Sequence, residues 1–141
     1  MTVIAALAVA LNLLLAQAVP ELTQARIAKL EDGLDLNALL ASPLAVYVFD
    51  ENVLPPVSEL SRNYEIGERD GRPVIIARYT YAIAEDDPFV LDGTYCCGSP
   101  SPPGAHIGPG RSISDGGCGV VWVTFDVRTD RPISVWCQGG A

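Results

Sequence analysis

Residues 95–119 constrain this chain more than any other stretch. They read Tyr95-Cys96-Cys97-Gly98, then Pro100, Pro102, Pro103, Gly104, His106, Gly108, Pro109 and Gly110, and close on Asp115-Gly116-Gly117-Cys118-Gly119. Three of the four cysteines and the single histidine lie here. Glycine loses the most backbone entropy on ordering, and proline has no N–H to donate, so neither a helix nor a central strand suits the stretch. Apolar segments flank it on both sides. The expectation is a long Gly/Pro loop pinned to a β-sheet by disulfides.

Disulfides persist in oxidising compartments, and the N-terminus offers a route to one. Residues 1–18 carry no charged side chain, 3–16 are apolar except for Asn12, and Ala16-Gln17-Ala18 has the small-x-small form of a signal-peptidase site. The apolar core is shorter than the ~20 residues that span a bilayer. Residues 1–18 therefore read as a signal peptide. Residues 19–141 read as one small α+β domain, secreted or periplasmic, with no stable membrane insertion after cleavage. With 17 acidic against 9 basic residues the formal charge is -8. Such a surface repels phosphate backbones, which removes nucleic acid as a partner.

Residues 20–31 read as a helix, with Pro20 and Glu21 suited to its first turn and Lys29 to its last. Asp35 caps a short second piece carrying Leu36, Leu39 and Leu40. The apolar run 44–50 suits a buried strand. Residues 63–68 and 73–83 flank Asp70-Gly71, a strong hairpin signal. On the second of these strands the odd positions Ile75, Ala77, Tyr79 and Tyr81 form the more apolar face, assigned to the core. Residues 89–97 read as a further strand. In 119–127, Val121, Val123, Phe125 and Val127 alternate with Val120, Trp122, Thr124 and Asp126, and 133–138 return as the last strand. The expected fold is α+β, an N-terminal helix packed on an antiparallel β-meander.

Four cysteines allow three pairings. Taking Val127 opposite Ile133 across the last turn sets Cys137 opposite Val123. Cys118 then lies five residues further along, about 17 Å at ~3.4 Å per residue, whereas bonded cysteines keep Cα atoms within ~7 Å. That disfavours Cys118–Cys137, and with it Cys96–Cys97. The two favoured pairings are Cys96–Cys118 with Cys97–Cys137, or Cys96–Cys137 with Cys97–Cys118. Each bond closing a loop of ~20 residues stabilises by roughly 3 kcal/mol. No C-x(2–4)-C spacing is present, so no metal site or other cofactor is expected.

The same register makes Trp136 oppose Thr124, with Trp122 diagonal to Trp136 on the more polar face beside Asp126. Two tryptophans on a nominally solvent face require a cover. Either loop 98–109 folds over them, or they form an open platform for an unknown ligand or protein, such as a sugar or a Pro-rich peptide. The candidate binding residues are Trp122, Trp136, Thr124 and Asp126. A hydrolase using His106 with Ser112 or Cys118 is the alternative; closeness in sequence alone does not make a nucleophile–base pair, and no catalytic residue is assigned. The reading is an exported, disulfide-stabilised, non-enzymatic binding domain. Peptide mapping of the unreduced protein is expected to return Val19 as the mature N-terminus and to find Cys96 and Cys97 in different bonds; a Cys96–Cys97 linkage overturns the pairing argument.

Overall fold

The structure, a computed structural model, describes residues 21–46, 53–82, 103–109 and 119–137. Among these residues two short helices precede a five-stranded sheet. Helix α1 spans Gln24–Glu31 and α2 Leu36–Leu40. A single 3-10 turn, Val57–Glu59, leads into the sheet. The strands are β1 Leu60–Arg69, β2 Arg72–Tyr81, β3 Gly104–Ile107, β4 Val120–Asp126 and β5 Pro132–Cys137, in spatial order β3-β1-β2-β4-β5.

Helix α1 starts later than its sequence suggests. Its N-cap is Thr23, whose hydroxyl accepts the Arg26 N–H at 3.1 Å. Pro20 lies outside the described residues, as do the signal segment 1–18 and the strand expected at 89–97. At α2 the Asp35 carboxylate accepts the Ala38 N–H at 3.0 Å, the expected cap. Of the run 44–50, the described residues 44–46 belong to no named strand. Only Ala45 pairs, in an isolated parallel bridge to Val135, and Val46 is 47% exposed; 47–50 lie outside the described residues.

The sheet is mixed, which corrects the antiparallel meander. β1–β2, β2–β4 and β4–β5 are antiparallel, but β3 pairs in parallel with β1 at the far edge. β2 is itself the return: it ends at Tyr81 beside Leu60, the same end of β1 where β3 begins with Gly104 opposite Ser61. The β1–β2 hairpin turns at Asp70 and Gly71, with φ of 53° and 74°. Positive φ at both central residues matches the right-handed strand twist.

One face of the sheet packs on the helices. Ile27, Leu30 and Leu36 join Tyr64, Ile75, Ala77, Tyr79, Val121, Val123, Phe125 and Val135 in one apolar cluster. The odd face of β2 is thus the core face through Tyr79, but Tyr81 at the strand end is 44% exposed.

A polar cluster closes this core. Glu31 Oε1 accepts both the Arg62 Nε–H at 2.7 Å and the Tyr64 hydroxyl at 2.6 Å. A carboxylate only accepts, so Tyr64 spends its proton there and takes its second bond, 3.0 Å, from the buried Tyr79 hydroxyl. Burial first, then the neighbouring phenol, raises the Tyr64 pKa far above the ordinary 10.0, and burial raises that of Tyr79. A folded-state pKa above the unfolded one gives stability that is complete below about pH 10 and is lost as pH rises beyond it. Tyr64→Phe is expected to cost about 1–3 kcal/mol near neutral pH, because the Tyr79 hydroxyl loses its acceptor. The same variant should flatten the alkaline fall. Urea midpoints measured across that range for both proteins test the two expectations together.

Candidate functional site

The second face of the sheet carries a row that crosses all five strands. Register places His106 beside Asn63, Asn63 beside Arg78, Arg78 beside Trp122, and Trp122 beside Trp136. The tryptophans are therefore direct cross-strand partners, not diagonal ones. Their rings stack at 5.5 Å between centroids with 4° between planes. Trp136, on edge strand β5, is 36% exposed and Trp122 is half-buried.

The last turn explains the shift. Asp126 Oδ1 accepts the N–H groups of Arg128 at 2.8 Å and Thr129 at 3.0 Å. Asp126 N–H reaches the Arg131 carbonyl at 2.9 Å, and Asp130 takes φ of 56° to bring the chain round. Val127 thus belongs to the turn, and a register irregularity at Thr124/Phe125 resets the pairs beyond it. The Asp126 carboxyl, held below the usual carboxylate range by the Arg128 N–H and then by that of Thr129, caps this turn. One of its carboxylate oxygens is committed to this turn.

The shift also moves Cys137 opposite Val121. Cys118 is then three residues along rather than five, and β4 begins only at Val120, so the distance argument against Cys118–Cys137 loses its footing. Cys137 is buried and is not a free thiol; its pairing, like Cys96, Cys97 and Cys118, lies outside the described residues.

Arg78, 3% exposed, sits with its guanidinium carbon 5.9 Å from the Trp122 ring centroid and donates to Asn63 Oδ1 at 3.5 Å. It also interacts beyond these contacts. The Trp122 Nε1 is buried without a hydrogen-bond partner. One pair along the strands, Thr124 lies opposite Ser134, and both are buried. Arg69 donates to each hydroxyl, to Ser134 Oγ at 2.9 Å and to Thr124 Oγ1 at 3.2 Å. Arg69 was invisible as a site residue in the sequence. It lies beside the hairpin turn, and only sheet twist brings its long side chain across β2.

Of loop 98–109, expected to cover the tryptophans, residues 103–109 are described and lie elsewhere. Its described part forms β3, on the opposite edge from Trp136, four strand spacings or ~19 Å away. Gly104 and Gly108, both at φ of 136°, let the chain enter and leave this short edge strand. His106 is accordingly an exposed strand residue, and among the described residues no carboxylate or nucleophile bonds to it. Ser112 and Cys118 lie outside the described residues. No group of His, Cys, Asp and Glu among the described residues is arranged to hold a metal, and no helix among them is long and apolar enough to cross a membrane.

Two parallel indoles in contact couple their excited states. The far-ultraviolet circular dichroism of the protein is expected to show an exciton couplet that disappears in both Trp122→Phe and Trp136→Phe; a couplet surviving either change contradicts the stacked pair. Comparisons with protein-family models, with curated proteins and with solved structures find no match for this chain.

Proposed function

We propose that this chain is an exported, disulfide-stabilised and non-enzymatic domain that binds its ligand on the β4–β5 edge of the sheet. The observation that carries the reading is Trp136. It is a large apolar ring, 36% exposed, and its inner face is stacked on Trp122. Stacking limits its rotamers before any ligand arrives, so little side-chain entropy remains to be lost on binding. A rigid, half-open indole beside hydroxyl and guanidinium donors suits a saccharide. The sugar's C–H face packs on the ring and its hydroxyls meet the polar groups.

The domain's export rests on the leader-like residues 1–18, and its stapling on four cysteines in a chain with Cys137 already out of the free-thiol pool. Cys137 is proposed to join a cysteine of the 95–119 stretch.

Tryptophan emission titrated with soluble oligosaccharides tests the reading. Wild type is expected to saturate, and Trp136→Ala to bind at least about tenfold more weakly, the loss of one aromatic anchor. The exciton couplet vanishes in that variant by design, so its fold is checked by the urea midpoint. Equal binding by Trp136→Ala, or saturation with a Pro-rich peptide in place of sugar, overturns the saccharide platform.

A further inference from the structure

Arg26, Arg62 and Arg69 are each held by side chains, but by partners of two kinds. On the helix face, Arg26 pairs with Asp130 at 2.7 Å and Arg62 with Glu31 at 2.7 Å. On the second face, Arg69 is held just as definitely but by neutral partners, the hydroxyls of Ser134 and Thr124. Among the described residues no carboxylate forms an ion pair with it. The chain has 17 acidic residues against 9 basic ones, so carboxylates are not scarce. A guanidinium has five N–H donors and no acceptor. Two are spent on the hydroxyls, which leaves three, on a residue that is itself exposed. Thr124 and Ser134, 4% and 9% exposed, are fixed by the ladder between β4 and β5 and fix the guanidinium in turn.

The position matters as much as the charge. Thr124 and Ser134 lie two residues from Trp122 and Trp136 on the same strands and the same face, about 7 Å away. A ring seated on Trp136 with one anionic substituent turned along the strands meets the Arg69 fork.

We propose that the ligand is an acidic saccharide, a hexuronate unit whose ring stacks on Trp136 and whose carboxylate is received by Arg69, with Ser134 and Thr124 as positioning residues. The proposal rests on the platform reading above and adds to it the charge of the ligand. Guanidinium and carboxylate match as two parallel N–H···O bonds, which a neutral ester cannot reproduce. At physiological salt the net negative charge of the protein is screened beyond about 8 Å, so the local fork decides the preference.

The test compares oligogalacturonate with its methyl ester, in which each carboxylate is neutralised by one added methyl group, by calorimetry on the full chain. Wild type is expected to bind the acid about tenfold or more tightly than the ester, the size of a charge-assisted hydrogen bond. Arg69→Gln should bring the acid down to the level of the ester in the same variant, and the exciton couplet verifies that its tryptophan pair is intact. Ser134→Ala, which keeps the charge but frees the fork, should lose part of the preference. Equal binding of acid and ester by wild type, or a preference that survives Arg69→Gln, overturns the inference while leaving the platform standing. Binding of neither oligosaccharide overturns both.

Discussion

The Glu31 carboxylate is the contact on which the architecture turns. An eight-residue helix does not hold itself together in water, and α1 has a further handicap. Arg26 lies in its first turn and Glu31 at its last residue, the wrong way round for the helix dipole. Both charges are explained by what lies outside the helix. Arg26 reaches the Asp130 side chain and the Val127 carbonyl at the β4–β5 turn. Glu31 collects Arg62 of β1 and, through Tyr64, the Tyr79 hydroxyl of β2. The helix is thereby tied to the two hairpins, one at each end, with Ile27 and Leu30 buried between the ties. Removing one member of such a group leaves the others desolvated and unpaired, which costs more than the pair itself is worth.

With the helices committed to one face, the other face becomes the place for chemistry. It is not a bare solvent face. Ser61, Arg78, Thr80, Thr124 and Ser134 are all buried there, and burial makes each polar group left without a partner costly. Arg69 donates to two of them, the hydroxyls of Thr124 and Ser134. Trp122 stacks on Trp136, and the Arg78 guanidinium lies over the Trp122 ring. At the β5 side of this face Trp136 stands 36% exposed.

Much of the backbone was legible from local chemistry. Asp70-Gly71 marked a tight turn because few residues tolerate positive φ twice in succession, and it sits where expected. The alternation through Val121, Val123 and Phe125 marked their side as core because a strand repeats every two residues. The register of the last hairpin was not legible. Whether Val127 ends a strand or begins a turn depends on Asp126 capping its own loop, and a slip of this kind changes every pairing that follows. The tryptophans moved from diagonal to stacked, and Cys137 moved relative to Cys118, for that single reason.

The amino-acid sequence alone determined where apolar faces, turns and caps fall, since those depend on neighbours within a few residues: Asp35 over Ala38, Gly71 in its turn, Tyr79 on the core side. It also determined that Trp122 and Thr124 share a face, and that Ser134 and Trp136 share one, because period two along a strand needs no partner to define it. Only the tertiary structure decided that β3 lies parallel at the far edge, that Glu31 is shared between two strands, and that Arg69 crosses β2 to reach Thr124 and Ser134. Those contacts join residues 31 to 65 positions apart. At that separation sheet twist and strand order, rather than spacing along the chain, set which side chains meet.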